Sequence, residues 1–305
     1  MMQRILAQMA RGFAMGASDV VPGVSGGTIA LILGIYEGLL SNIGMGAKAL
    51  GRLLKGDLSG FVDRLRAVDW AFLAPLLFGI AAAVLLLAGP IETALHDYPE
   101  AMAGLFFGLV IGSIVVARSL LKRPSELHVG VALGVGAVTF LLLGLQSGPV
   151  ADPSPALLIV AGAFAICAMI LPGISGSFIL LMIGMYASVL NAVDEFLLGD
   201  IALIGIGAIV GLALFSSLLT YLLERHHDVV MAALIGLMLG SLRVLWPWPN
   251  GVGIIEREET ISGTGLEWPN GAPWIAAVLL GLIAAVAVIG VSSFATSHPK
   301  PQKGV

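Results

Sequence analysis

Charge is what this sequence lacks most, since Asp, Glu, Lys and Arg together make up only 11% of its 305 residues. A soluble domain carries roughly 25% of such residues, and a chain this poor in charge does not cover a surface that faces water. Hydrophobic residues make up 58% of the chain, and the mean hydropathy is +1.01. The composition therefore excludes a soluble domain and predicts an integral membrane protein.

Cysteine and net positive charge are scarce as well. The single cysteine, Cys167, lies in an apolar stretch, which excludes an internal disulfide framework and a zinc site built from cysteines. The net charge of −4 argues against a nucleic-acid partner. The sequence also contains no nucleotide-binding motif, so we expect neither ATP as the driver nor any cofactor or metal.

Six apolar stretches are long enough to span a bilayer, which takes about 20 residues. They are 71–90, 101–121, 128–147, 201–223, 229–247 and 273–294. Two longer apolar regions, 4–43 and 156–193, are each interrupted by a Pro-Gly pair. A straight helix over either region would be about 55–60 Å long, well beyond a bilayer core. We therefore predict that each region folds back as a re-entrant hairpin, with two tilted spans as the alternative.

Loop charges predict the orientation. If the N-terminus is inside, 13 of the 15 Lys and Arg residues fall on the inner side, as the positive-inside rule requires. This layout predicts a multi-pass protein of the cytoplasmic (inner) membrane with both termini inside. The loop 44–70 is amphipathic, and we expect it to form a helix on the inner leaflet.

An internal repeat relates the two apolar hairpin regions. Residues 22–36, PGVSGGTIALILGIY, match residues 172–186, PGISGSFILLMIGMY, at eight of 15 positions without a gap. A second repeated motif, Gly-Leu-X-X-Gly-Ser, occurs at 108–113 and again at 236–241. Small residues at this spacing are also typical of simple helix packing, which is the alternative explanation for the second motif. The chain thus reads as a duplication, with one repeat over 1–147 and the other over 148–305.

Parity gives the two repeats opposite orientations. A hairpin returns to the side where it began and three spans cross the membrane, so the second repeat begins on the opposite face. The predicted fold is an all-α polytopic membrane protein, an inverted repeat of a re-entrant helix hairpin plus three transmembrane helices. This makes about six full spans and two hairpins, an architecture typical of secondary transporters.

The hairpin tips are the candidate binding site. Each Pro-Gly break frees backbone groups that lipid does not satisfy, and each tip then opens a new helix whose N-terminus favours an anion. Four hydroxyl groups add donors there, those of Ser25, Thr28, Ser175 and Ser177. Two such tips, one from each side, predict a central site for an anionic head group.

Four charged residues within the membrane elements extend this hypothesis. Arg11 and Arg243 are candidates to hold a phosphate, or they extend to an interface. Asp19 and Glu37 are candidates to carry a coupling proton or sodium ion or to gate the site, and Asp19 is equally suited to cap a broken helix. The paired histidines at 226–227 lie beside Asp228 and are interpreted as a loop cap, because adjacent residues do not share a helix face.

The run Gly16-Ala-Ser-Asp-Val-Val-Pro-Gly-Val-Ser-Gly-Gly-Thr28, followed by the later Leu-Pro-Gly-Ile-Ser-Gly-Ser, resembles a bacterial and archaeal membrane family. That family was long known only as a domain of unknown function and is now associated with polyprenyl-phosphate (undecaprenyl-phosphate) translocation. The resemblance implies a flippase that recycles the lipid carrier of cell-envelope polymers such as peptidoglycan. Its motif residues correspond to Ser18, Asp19, Pro22, Gly23, Ser25, Gly26, Gly27 and Thr28, and to Pro172, Gly173, Ser175 and Gly176.

The two tips differ in ways that bear on this resemblance. Ser177 stands where the first tip has Gly27, and Met169 stands where it has Asp19, so we expect the tips to be inequivalent. The implied partners are a polyprenyl-phosphate lipid and the surrounding membrane lipids. A homo-oligomer stays an open alternative.

Two rival functions remain open from the sequence. Residues 23–27 match Gly-X-Ser-X-Gly, the nucleophile elbow of a hydrolase, but the five histidines all lie in loops or near span ends, so a lipid-phosphate hydrolase is the weaker rival. A transporter or channel for a small anion or ion-coupled solute would use the same tips.

Overall fold

A computed structural model describes residues 2–21, 24–145, 150, 152–249, 254–255, 261–262, 266–269 and 274–297. Within these residues the first half of the chain forms α1 (Met2–Asp19), α2 (Gly26–Ile32), α3 (Tyr36–Leu54), α4 (Leu58–Arg66), α5 (Trp70–Asp97), α6 (Pro99–Ser119) and α7 (Glu126–Leu142). The second half forms α8 (Pro155–Ile170), α9 (Gly176–Met182), α10 (Tyr186–Asp194), α11 (Leu198–Ser241) and α12 (Trp274–Ser297). Two antiparallel strands of two residues each, β1 (Ile254–Ile255) and β2 (Ile261–Ser262), complete the described structure.

The helices carry the apolar length that a multi-pass membrane protein needs. By length and composition, α5, α6, α11 and residues Trp274–Ser293 of α12 are each able to cross a membrane, while α7 and α8 are shorter apolar helices. The predicted stretches 201–223 and 229–247 both overlap α11, which is 44 residues long and has non-helical backbone angles at His226. The helical membrane architecture is confirmed, whereas the count of six spans stays a prediction.

Each hairpin contains two breaks, although the sequence predicted only one. The first break is at the Pro-Gly tip, between α1 and α2 and between α8 and α9. The second break follows the short helices α2 and α9, at Gly34 (φ 65°) and Gly184 (φ 71°). Only glycine adopts these left-handed angles without a steric penalty. The chain consequently turns again, and α9 and α10 meet at a bend of 115°.

The loop 44–70 is largely helical. It continues α3 as far as Leu54 and then forms α4, which has no buried residue. Asp57 caps α4 by accepting a hydrogen bond from the Gly60 N–H at 2.8 Å. That bond, with others from Ser59 and Arg52, lowers the pKa of the Asp57 carboxyl below its ordinary value. The position of this segment on the inner leaflet stays a prediction.

Glycines allow the long helices to pack backbone against backbone. A Cβ atom at Gly12 of α1 or Gly79 of α5 would collide with the backbone of the other helix, and Gly162 of α8 and Gly207 of α11 are related in the same way. Each hairpin therefore packs on the first long helix that follows it, α1 on α5 and α8 on α11. Close approach of this kind is the packing mode expected of helices in lipid.

The remaining long helices pack across the two halves of the chain. Helix α6 packs on α12 near Gly108 and Gly281, and α11 packs on α7 near Gly236 and Gly136. Each copy of the Gly-Leu-X-X-Gly-Ser motif thus contacts a helix of the other half. These contacts enclose the hairpin tips, whose residues belong to the largest buried apolar cluster.

Candidate functional site

The first tip is built by hydrogen bonds that hold the start of α2. Ser25 is the N-cap of α2, and its hydroxyl accepts a hydrogen bond from the Gly27 N–H at 3.1 Å. The Asp19 carboxylate at the end of α1 accepts from the Gly26 N–H at 2.6 Å. Asp19 therefore acts as a helix cap, which was one of the two roles predicted for it. Ser18 donates to the Ala14 carbonyl at 3.1 Å. The candidates Pro22 and Gly23 lie outside the described residues.

The second tip packs closely against the backbones of α8 and α11. Pro172 is fully buried. Gly173 adopts φ 88°, and a Cβ atom there would lie 2.7 Å from the backbone of Met238 on α11. Gly176, where α9 begins, packs against the backbone of Ala165 in α8. Both the backbone angle and the lack of space therefore require glycine at position 173.

The two tips contact each other inside the protein. The Ser25 hydroxyl lies 3.0 Å from the Leu171 carbonyl and 3.2 Å from the Met169 carbonyl, and donates toward both. The Gly173 N–H donates to the Thr28 hydroxyl at 2.9 Å. Ser25 is 1% exposed and Thr28 is not exposed at all. The first tip thus satisfies backbone groups that the break in the second hairpin leaves free.

A fourth bond strengthens this junction. Tyr36, the first residue of α3, donates its hydroxyl to the Ile170 carbonyl at 3.1 Å. Gly27 also approaches that carbonyl so closely that a Cβ atom would lie 2.6 Å from its oxygen. Four carbonyl or amide groups of residues 169–173 are consequently bonded by side chains of the first hairpin. These pairings were not predictable from the motifs, because they join residues more than 130 positions apart.

Two hydroxyl groups of the second tip are arranged differently. Ser175, the N-cap of α9, and Ser177 share a hydrogen bond of 2.8 Å between their hydroxyl oxygens. Within the part of the chain that the structure describes, neither hydroxyl bonds to the first tip. A hydroxyl pair of this kind retains lone pairs and a donor that a ligand can use. The predicted inequivalence of the tips thus has a structural counterpart.

Arg243 follows α11 and packs against α7. Its guanidinium is 4.8 Å from the centre of the Phe140 ring, and Nη1 donates to the Phe140 carbonyl at 3.4 Å. Its Nε is buried and finds no hydrogen-bond partner among the described residues. The next residue, Val244, belongs to the same small buried cluster as Phe178 of α9. The segment that follows α11 therefore carries one buried arginine donor without a partner in the described structure.

Arg11 lies apart from both tips. It precedes the end of α1 by eight residues, about 12 Å along the helix. Its Nη1 donates to the side chain of Gln8 at 2.9 Å, and it lines a cleft together with Arg4 at the start of α5. The structure thus does not place Arg11 beside the other phosphate candidates.

Glu37 joins a cluster that the sequence did not predict. Its carboxylate lies 3.4 Å from Nε2 of His227, whose Nδ1 lies 2.9 Å from the carboxylate of Asp228. Asp228 accepts hydrogen bonds from the N–H groups of Lys122 and Arg123 at 3.0 and 2.8 Å. The cluster connects α3, the loop between α6 and α7, and the break in α11. Asp228 does cap a loop, as interpreted, but the pairing of His227 with Glu37 was missed.

A small polar cavity adjoins this cluster. Its volume is about 280 Å³, and Glu37, Lys122, Glu224 and His227 line it. The hydroxyl oxygen of Thr220, also in its wall, is buried and has no partner among the described residues. In the same part of the chain no group of three or more His, Cys, Asp or Glu residues is arranged to hold a metal ion.

The fold and the site together define a class of protein, a helical multi-pass membrane transporter in which two broken hairpins meet in the interior. Comparison with known proteins then gives the family: the chain belongs to the undecaprenyl phosphate translocase-like family, whose model matches residues 15–262. The resemblance found in the two tip motifs is therefore confirmed.

Two curated relatives support the assignment. A polyprenyl-phosphate transporter of Vibrio cholerae serotype O1 is 38% identical over 95% of this chain and 97% of its own length. A polyprenyl-phosphate transporter of Staphylococcus aureus is 31% identical over 78% of this chain and 84% of its own length. No solved structure matches. The family and both relatives are named for transport and not for an enzymatic reaction, so the hydrolase alternative is set aside.

Proposed function

We propose that this protein moves polyprenyl phosphate, undecaprenyl phosphate in particular, between the leaflets of the cytoplasmic membrane. The carrier's monophosphate would thereby return to the inner leaflet, where synthesis of envelope polymers such as peptidoglycan begins. One observation carries the proposal: the two Pro-Gly-X-Ser-Gly tips meet and bond to each other within the protein. A polar junction inside an apolar protein suits a charged head group that must cross hydrocarbon.

The phosphate is proposed to bind on the second-tip side of this junction. There the hydroxyls of Ser175 and Ser177 bond only to each other among the described residues, and the N-terminus of α9 favours an anion. Arg243 is proposed to supply the cation, with a buried Nε that lacks a partner in the described structure. Ser25 and Thr28 are proposed to frame the site, because their hydroxyls already hold the second hairpin. The same framing role is proposed for Ser18, Pro22, Gly23, Gly26, Gly27, Pro172, Gly173 and Gly176.

The proposed mechanism depends on an inverted repeat. Its support is the reciprocal packing of α6 on α12 and of α11 on α7, with the matching residues Gly108 and Gly236 at the two contacts. In this proposal the halves 1–147 and 148–305 rock about the tips, so that the phosphate faces one leaflet and then the other. The polyprenyl tail stays in the lipid between the halves, and both termini lie inside.

Glu37 and Asp19 are proposed to have different roles. Asp19 holds the start of α2 through the Gly26 N–H and so contributes to the shape of the first tip. Glu37 pairs with His227 across the two halves, a contact suited to stabilise one orientation of the halves over the other. Proton or sodium coupling through either carboxylate is part of this proposal.

The site is tested by binding of polyprenyl phosphate to a Ser175→Ala/Ser177→Ala variant. We expect the affinity to fall by at least about tenfold, because the loss of even one hydrogen bond to a charged group costs about 1.5–3 kcal/mol. The matched control is Ser188→Ala, whose hydroxyl bonds to the Val150 carbonyl in the same half of the chain. Equal affinity in the wild type and the double variant would contradict this site. Tight binding of inorganic phosphate with no binding of the lipid would favour the small-anion transporter.

A further inference from the structure

A second site, separate from the tips, is formed where α1 crosses the start of α5. A cleft of about 920 Å³ lies between residues 4–11 of α1 and residues 69–75 of α5. Arg4 and Arg11 are both in its wall. They are seven residues apart, so they lie on one face of the helix about two turns from each other. The tip junction uses neither of these arginines.

The charges in the cleft favour an anion. Two guanidinium groups face one carboxylate, that of Asp69. Asp69 is already engaged, because its carboxylate accepts a hydrogen bond from the Phe72 N–H at 3.1 Å and caps α5. Arg11 uses Nη1 for Gln8, which leaves most of the five guanidinium donors for a ligand. Arginine recognises phosphate oxygens better than lysine does, because its planar donors bind two oxygens at once.

The remaining walls of the cleft favour a lipid over a free anion. Ile5, Phe72 and Pro75 contribute apolar surface. Trp70 is 48% exposed and donates its indole N–H to the Leu65 carbonyl, an arrangement typical of tryptophan at a membrane interface. A volume of 920 Å³ is several times larger than a phosphate group and accommodates the first part of a hydrocarbon chain as well.

We propose that this cleft is a docking site for the phosphate head of a polyprenyl monophosphate, occupied before or after passage through the tips. A phosphate monoester carries about −1.5 to −2 charges at neutral pH, which matches two arginines better than the single charge of a phosphodiester lipid. The inference rests on the proposed function for the identity of the lipid. The basic segment 44–70, whose last two residues line the cleft, would place it at the inner leaflet.

The first test measures how many lipids the purified protein retains in neutral nanodiscs, with polyprenyl monophosphate, phosphatidylglycerol and inorganic phosphate as separate probes. We expect two monophosphate lipids per chain for the wild type and one for Arg4→Gln/Arg11→Gln. The matched control is Arg66→Gln, an arginine of α4 outside the cleft, which should retain two. Equal retention of phosphatidylglycerol, equal loss in Arg66→Gln, or retention of inorganic phosphate alone would overturn the proposal.

A gain of affinity provides a test that misfolding does not mimic. Asp69→Asn removes the one carboxylate that lines the cleft among the described residues, while asparagine remains a good N-cap for α5. We expect the cleft to bind the monophosphate lipid about two- to fivefold more tightly, as the loss of one exposed like charge predicts. Unchanged or weaker binding would contradict the proposal.

A photoreactive group on the first isoprene unit of the lipid separates this proposal from the proposed function. In the wild type we expect crosslinks to residues 2–11 and 70–75 in addition to the tips. Crosslinks at the cleft without any at the tips would contradict the proposed function but would still support the cleft as a docking site. Crosslinks at the tips alone would overturn the proposal that the cleft is a docking site.

Discussion

Ser25 and Ser175 occupy matching positions in the two tip motifs, but their hydroxyls bond to different groups. Ser25 bonds to carbonyls of the opposite hairpin, whereas Ser175 bonds to Ser177 in its own tip. The sequence predicted one central anion site between two inequivalent tips. The structure separates a tip that holds the junction together from a tip that retains hydroxyl groups for a ligand.

Glu37 and His227 provide a prediction at the scale of single residues. Glu37→Gln removes the charge but keeps the size of the side chain. Because the Glu37 side chain is 69% exposed, its contact with His227 is worth at most about 0.2–1 kcal/mol, the range for an exposed pair with a protonated imidazole. We expect unchanged affinity for polyprenyl phosphate but leaflet exchange slowed by about two- to fivefold, the shift in population that this energy allows. Binding and exchange are measured on the same preparation.

The control for this variant is Glu224→Gln. Glu224 lines the same cavity as Glu37 and forms no ion pair within the described residues, so exchange should be unaffected. Adding His227→Gln to Glu37→Gln should cause no further slowing, because the two residues act as one pair. Additive effects, or an equal effect of Glu224→Gln, would show that the pair has no gating role.

The elements were largely predictable from the sequence. Each of the six apolar stretches overlaps a helix, although α7 already ends at Leu142 and α11 at Ser241. The Pro-Gly pairs mark real breaks, because proline and glycine impose their backbone effects locally. The second break of each hairpin was not predicted, since Gly34 and Gly184 lie in apolar runs where glycine usually indicates helix packing. The interruption of α11 at His226 does agree with the sequence, which predicted separate stretches at 201–223 and 229–247.

The second breaks provide a prediction at the scale of an element. Gly34 and Gly184 adopt positive φ, and a Cβ atom at Gly34 would meet no neighbour within 4 Å. Gly34→Ala should therefore destabilise the protein by about 1–2 kcal/mol through backbone strain alone. Gly46→Ala is the control, since Gly46 lies within α3 and also has open space around it, where alanine should be neutral or stabilising.

Thermal unfolding of the two variants in the same detergent provides the comparison. A lower midpoint for Gly34→Ala with an equal or higher midpoint for Gly46→Ala supports the second break. Equal midpoints for both would mean that residues 26–54 form a straight helix and that the bend after α2 is absent.

At the scale of the whole molecule, the tip junction and the packing of α6 on α12 and of α7 on α11 all join the first half of the chain to the second. The sequence predicted that the tips would meet, because the duplication implied two equivalent hairpins. It did not predict which side chains join them, since bonds such as Thr28 to Gly173 link distant segments whose pairing depends on packing. The surroundings of Arg11 were unpredictable for the same reason. Its apolar region was predicted from the sequence, but the cleft that it shares with Arg4 and Trp70 was not.

The central claim is that this protein moves polyprenyl phosphate between leaflets, and leaflet exchange in proteoliposomes tests it most directly. Purified protein is reconstituted with a labelled polyprenyl phosphate, and a membrane-impermeant reagent reports the lipid exposed outside. Faster loss of leaflet asymmetry with the wild type than with protein-free vesicles or with Ser175→Ala/Ser177→Ala is the predicted result. The account is contradicted if folded wild-type protein gives no acceleration.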